Sequence, residues 1–176
     1  VIFAEKAKEY IKEEKYKDLI EMHKEEYLIG ANGPDFLFFY DLFPLWKKQN
    51  MEISRLGNKI HHEKINLFFK TAINLYHKQK ETPLKDAMAV YLIGHFLHWQ
   101  LDSIMHPFVV YRTGFKEKLS SGYHHRFESM MDTFLLKKYW NTSIKDYKTY
   151  EICKRSDLSI DVIANFYIPC IQTCFN

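Results

Sequence analysis

With 176 residues, the chain is long enough for one domain of ordinary size with a full hydrophobic core. Apolar residues at 47% and charged residues at 27% give the balance of a soluble globular protein. A net charge of +3 without a basic block does not favour nucleic acid as a partner.

Six Gly and five Pro leave little room for the frequent turns of a β-sandwich, while fourteen Phe and twelve Tyr supply large apolar groups. The expected class is all-α. Cys153, Cys170 and Cys174 lie near the C-terminus without the spacing of a disulfide framework. They read as reduced thiols and point to a cytoplasmic protein, with secretion left open. Cys170 and Cys174 stand one helical turn apart, but no His or Cys beside them completes a metal site. No apolar run approaches the ~20 residues of a transmembrane helix. Val1 already lies inside a helical pattern with Phe3, Ala7, Tyr10 and Ile11, so a segment upstream is expected and a leader peptide cannot be read.

Helical periodicity covers residues 1–13 and 16–27. His23 is expected on the surface. Residues 30–44, GANGPDFLFFYDLFP, carry four Gly or Pro breakers and five aromatics and read as an ordered loop. A long helix is expected over residues 51–80, with an interruption at Gly57. Thr82 as N-cap, with Pro83 in the first turn, opens the next helix. It continues through Met105 to a disturbance or end at Pro107. Another helix is expected over residues 123–140. Thr142-Ser143 and Ser156 each precede a helical run, the last of which ends near Cys174 with a kink at Pro169. No internal repeat or linker interrupts the chain, so residues 1–176 are expected to form one domain.

The strongest chemical signal is GHFLHWQLDSIMHP, residues 94–107. His98, Asp102 and His106 recur at i, i+4 and i+8 and fall, with His95, within an arc of roughly 80° on a helix. The rest of that helix is apolar (Val90, Leu92, Phe96, Leu97, Leu101, Ile104), which predicts burial on most sides. Burying several imidazoles and a carboxylate is costly unless they are paired or bind metal. A buried polar network or one His–Asp pair is the competing explanation.

The second signal is SGYHHRFESMMDTF, residues 121–134. His124 and Glu128 are again one turn apart, with Asp132 a turn further and Met130, Met131 and Phe134 as expected buried sides. A surface His–Glu pair accounts for the same spacing. His125 points about 100° away and is expected in solvent. Asp35 follows Gly33-Pro34, whose tight turn holds its carboxylate in one direction; capping of backbone amides is the ordinary role for such a residue. In GNKIHHEK, residues 57–64, one of His61 and His62 faces inward, since adjacent helical positions cannot both do so. These segments offer nitrogen and oxygen ligands and no thiolate. That donor set suits zinc in an open, catalytic site.

The order GxxGPD, a helical His, HxxxDxxxHP and HxxxE resembles the zinc-dependent phospholipase C family, over residues 30–132 with the likeness beginning at Val1. The resemblance implies that Asp35, His61, His98 and Asp102 hold one zinc and that His106, His124 and Glu128 hold a second. Asp102 would bridge towards a third. His61 is taken over His62 from its register after Gly57. Secreted members of the family complete the third site with the amino group of an N-terminal Trp and an early His, which the pattern places just before Val1. They bind choline with a Glu near the N-terminus and a Tyr after the loop Asp. Phe36 follows Asp35 here, so a preference for phosphatidylcholine does not carry over. The spacing from Asp102 to His106 is short, as in intracellular or anchored-lipid-cleaving relatives. The chain has no room for the C-terminal membrane-binding domain of the clostridial toxins.

The implied function is hydrolysis of a phospholipid or other phosphodiester with two or three zinc ions, Asp35 serving as general base. His95 or Asp132 would orient the ligands. Phe36, Phe38, Phe39, Phe43 and Trp46 would wall the lipid chains, rest on a membrane surface, or pack beneath the metal loop. Two alternatives stand beside this: a single-strand nuclease of the same superfamily, and a metal- or lipid-binding module without catalysis.

Overall fold

The computed structural model describes residues 1–41, 43, 50–114, 120–148, 151 and 156–175, and among them the chain forms helices and no strand. In chain order these are α1 (Ile2–Lys8), α2 (Glu14–Met22), α3 (Lys24–Ala31), a 3-10 helix (Gly33–Phe39), α4 (Glu52–His62) and α5 (Ile65–Lys78). They continue with α6 (Thr82–Thr113), α7 (Ser120–Trp140), α8 (Asp157–Val162), a π-helical stretch (Ile163–Tyr167) and α9 (Ile168–Phe175).

The 32-residue α6 is the spine. From Ala87 to Gly94 its residues are apolar because neighbours cover it, with α3 pressed closest. Two glycines set that approach. A Cβ on Gly94 would lie 2.3 Å from the Tyr27 carbonyl oxygen, and one on Gly30 would lie 2.3 Å from that of Tyr91. One core cluster, with Ala4, Ile20, Tyr27, Ala31 and Val90, joins α1, α2 and α3 to α6. The Tyr27 hydroxyl donates to the Ala4 carbonyl at 2.7 Å and ties α1 to α3. The larger cluster packs Phe68 and Ala72 of α5 against Met88 and Tyr91 of α6 and Phe166, Tyr167 and Cys170 further on. Each large side chain buried there contributes about 1.5–3 kcal/mol of apolar transfer.

Several sequence expectations are corrected. Residues 30–44 are not a plain loop: Gly30 ends inside α3, and residues 33–39 wind as a 3-10 helix, with Pro34 in its first turn. Gly57 does not interrupt its helix. The break falls at Glu63 and Lys64, where Lys64 turns left-handed (φ 53°), so one expected helix becomes α4 and α5. The interval 16–27 is likewise divided at His23. His23 itself is buried beside Glu26, with Nδ1 3.8 Å from its Oε2, rather than on the surface.

Pro107 does not end α6, which continues to Gly114 (φ 86°). The carbonyl that loses its donor belongs to Ser103, an exposed residue that water can serve. Thr82 is the first residue of α6 and Glu81 occupies the cap position. Ser156 does cap α8, its hydroxyl accepting from Ser159 N at 3.1 Å, whereas a turn at residues 144–146 follows Thr142-Ser143. At Pro169 the chain does not simply kink: the π-helical stretch precedes it and α9 follows. The run Asp157–Phe175 has a mean hydropathy of 1.3 and is, by length and composition, sufficient to cross a membrane. The run is longer than the sequence expectation allowed, since its two Asp residues lie in its first turns and the remainder is largely apolar. Its Val162, Phe166, Tyr167, Cys170 and Cys174 belong to the core.

The C-terminal half of α6 and much of α7 are less covered than expected. Ile104, Phe108, Met130 and Phe134 are exposed, because few elements reach that end of the pair. Cys170 and Cys174 are free and buried, while Cys153, Pro44 and Trp46 lie outside the described residues.

Candidate metal centre

Four elements supply the expected ligands. α6 carries His98, Asp102 and His106 at one-turn intervals, and α7 carries His124 and Glu128 in the same way. α4 brings His61, and the 3-10 helix brings Asp35. Gly33 permits the last approach. Its φ of 60° starts the 3-10 turn, and a Cβ there would lie 2.2 Å from the His98 ring. Gly57 has an equivalent role in α4, where a Cβ would meet Phe38 at 3.1 Å.

Two groups result. In the first, His61 Nε2 stands 3.0 Å from Asp35 Oδ1 and 3.4 Å from His98 Nε2. Asp102 Oδ2 is 3.4 Å from His98 Nε2 and 3.8 Å from His61 Nε2, and Asp35 Oδ1 is 3.9 Å from His98 Nε2. In the second group, Glu128 Oε1 lies 2.9 Å from His124 Nε2 and 3.6 Å from His106 Nε2. His62 and His125 are exposed and join neither group. Asp132, a turn beyond Glu128, also stands outside both.

The charges of the two groups act on one another. Burial pushes the Asp102 carboxyl up, but the hydrogen bond with His98 and the charges of His98, His106 and His61 outweigh it and hold the pKa low. Burial lowers His61, yet its bonds to Asp35 and to the Gly57 carbonyl, with the charges of Asp35 and Asp102, raise it above the ordinary value. The hydrogen bond to Glu128 is the main cause that raises His106, and the same bond lowers Glu128. Asp102 and, more weakly, Asp35 of the first group thus act on His106 of the second.

These residues fit zinc. With metal–nitrogen distances of about 2.0–2.1 Å, the edges of a tetrahedral zinc site are about 3.3 Å long. The separations among Asp35, His61 and His98 are 3.0, 3.4 and 3.9 Å and bracket that value, while Asp102 lies 3.4 and 3.8 Å from the two imidazoles. His61 Nδ1 lies 2.7 Å from the Gly57 carbonyl oxygen. A carbonyl only accepts, so Nδ1 carries the proton and the neutral ring turns the lone pair of Nε2 towards Asp35 and His98. Without a cation or an added proton, lone pairs would face one another there. His106, His124 and Glu128 form the looser second set, with ligand atoms all within 4.8 Å.

The orienting contact on His61 thus comes from Gly57, not from His95 or Asp132. An i−4 carbonyl is available to any helical side chain, so nothing in the residue types singles it out. His95 is buried, its ring stacked on Phe68 with centroids 5.0 Å apart. The aromatic segment is divided. Phe36 packs on Tyr167 and Phe38 stacks on His61, while Phe39 (68% exposed) and Phe43 (73% exposed) face solvent with Tyr40.

An all-α fold with two sets of His and carboxylate side chains able to hold metal ions defines the class: a helical protein with a candidate metal centre. The family model for zinc dependent phospholipase C matches residues 1–173, and the chain belongs to that family, a family of hydrolases. No curated protein and no solved structure matches the chain significantly.

Proposed function

We propose that the chain hydrolyses the phosphodiester bond of a phospholipid, with zinc held by Asp35, His61, His98 and Asp102 and by His106, His124 and Glu128. The observation that carries this reading is the convergence of Asp35, His61 and His98 at separations of 3.0 to 3.9 Å, with Asp102 beside the two imidazoles at 3.4 and 3.8 Å. Zinc bound in such sites supplies positive charge to phosphate oxygens and makes water a nucleophile near neutral pH.

The chain's own residues supply the rest. Asp35 turns Oδ1 to the imidazoles and leaves Oδ2 to take the proton of the attacking water. Its place on a 3-10 turn begun by Gly33-Pro34 fixes the direction of that oxygen. Gly57 holds the tautomer and angle of His61. Phe39, Tyr40 and Phe43, exposed beside the same turn, offer an apolar surface to the acyl chains or to the membrane that holds them. Family membership supports a phospholipid substrate.

The test compares zinc-loaded and chelated protein on four substrates: phosphatidylcholine, phosphatidylinositol, a soluble nitrophenyl phosphodiester and single-stranded DNA. Zinc-dependent release of a phosphorylated head group is expected. Cleavage of DNA alone, or no zinc-dependent hydrolysis at all, would overturn the reading.

A further inference from the structure

Among the described residues, the buried side-chain polar atoms without a hydrogen-bond partner are Tyr91 Oη, His95 Nδ1 and Tyr167 Oη. They are not scattered. The three rings form a triangle, with centroids 6.2 Å apart for Tyr91 and His95, 5.8 Å for His95 and Tyr167, and 6.1 Å for Tyr91 and Tyr167. All three residues are at most 4% exposed. Buried polar atoms are almost always satisfied, by protein or by ordered water, so three orphans on adjoining rings point to a partner from outside the chain.

The triangle touches the first metal group on two sides. His95 lies one turn before His98 on α6, their ring centroids 6.4 Å apart. Tyr167 packs against Phe36, the residue after Asp35, at 5.5 Å. Tyr167 also ends the π-helical stretch, a local widening that puts Phe166 and Tyr167 side by side in the core. Such single-turn widenings are frequent where a side chain serves a site.

We propose that Tyr91, His95 and Tyr167 enclose one internal water, and that this filled cage positions His98 and Asp35 for the first metal group. The donor count is balanced. The water accepts from the two phenol hydroxyls and donates to His95 Nδ1, the three bonds usual for a buried water. His95 Nδ1 is buried without a partner and offers a lone pair to the water. Burial raises both phenols, which therefore stay protonated donors. Without a shared partner all three polar atoms would stay unpaired in the core, since none of them bonds to another.

The proposal rests on the metal-binding reading of Asp35 and His98, and its test does not depend on catalysis. A crystal structure of the zinc-loaded chain, at a resolution that shows ordered water, should place one water within hydrogen-bond distance of at least two of the three atoms. A dry cage, or direct bonds among the three residues, would overturn it. Tyr167→Phe removes one hydroxyl and keeps the ring packing. Its affinity for the first zinc, measured by competition with a chelator, should fall about tenfold, the lower end for outer-shell partners, with little change in Tm. Unchanged affinity would sink the positioning role. Tyr91→Phe serves as the second variant should Tyr167→Phe fail to fold. A protein without phosphodiesterase activity would still report both the water and the zinc affinity.

Discussion

His61 and His98, 37 positions apart in the chain, point their Nε2 atoms at each other across 3.4 Å. Two neutral imidazole nitrogens at that distance need a proton or a cation between them. With Asp35 Oδ1 3.0 Å from His61 Nε2, a cation with tetrahedral preference satisfies these three atoms at once, and Asp102, 3.4 Å from His98, stands next to them.

His61→Ala and His98→Ala should each remove one zinc equivalent by elemental analysis, and Asp102→Asn should lower the content at least as far. His62→Ala and His125→Ala, exposed and outside both groups, should keep full metal. Equal loss in all five variants would show that the ligand sets are wrongly drawn.

Stability should depend on pH in opposite senses with and without metal. Raised pKa values at His61 and His106 mean that the folded chain holds those protons more tightly than the unfolded one. Their contribution is complete below about pH 6.5 and is lost as pH rises through the raised values. Zinc-free protein should therefore lose stability to urea as pH rises above about 6.5. Zinc-loaded protein should gain over the same range, because the metal needs those nitrogens unprotonated. Parallel curves would refute the assignment.

His95 acts below that range. Its pKa of about 3 in the folded chain, set by burial first, against about 6.5 unfolded, means that acid favours the unfolded state. From pH 6.5 downward the loss should approach about 1.4 kcal/mol per pH unit from this residue alone. His95→Met, which keeps much of the packing, should show a shallower acid limb in urea unfolding. An unchanged slope would mean that the ring is not buried as a neutral base.

Helices, and the ordering of His98, Asp102 and His106 along one face of α6, were legible because periodicity reports which side chains share a side. Boundaries were less legible. Lys64 adopts a left-handed conformation that its residue type does not announce, and Pro107 passes through α6 because Ser103 faces water. His23 reads as a surface residue from its polar neighbours. It is buried because Glu26, one turn on, is held by the Ser156 and Ser159 hydroxyls at 3.1 and 2.7 Å, a contact across 130 and 133 positions. Gly33 and Gly57 were visible as breakers, but their service to His98 and His61 is a matter of tertiary approach.

Gly33→Ala should be among the more damaging small substitutions. The left-handed backbone costs an alanine about 1–2 kcal/mol, and the added Cβ would stand 2.2 Å from the His98 ring. Loss of Tm with loss of the first zinc is expected. Gly122→Ala, with nothing near its Cβ, should be neutral or slightly stabilising and makes a suitable control.

Phe39 and Phe43 carry the prediction that separates substrate binding from chemistry. Both are largely exposed, and Phe39 closes the 3-10 helix on which Asp35 sits, so they neighbour the metal group without contributing to it. Exposed aromatics so placed gain apolar burial when a lipid surface meets them, each by a fraction of the roughly 1.5–3 kcal/mol of full burial. Phe39→Ser with Phe43→Ser should therefore weaken turnover on phosphatidylcholine vesicles several-fold, mainly through KM. Zinc content should not change, because Phe36 and Phe38, which pack on Tyr167 and His61, remain in place. The soluble nitrophenyl phosphodiester has no acyl chains to bury, so its rate should stay within about twofold, the change expected when an exposed residue away from the reacting atoms is replaced. Equal loss on both substrates would place the two aromatics in support of the metal loop instead of the lipid. No loss on either would remove them from function altogether.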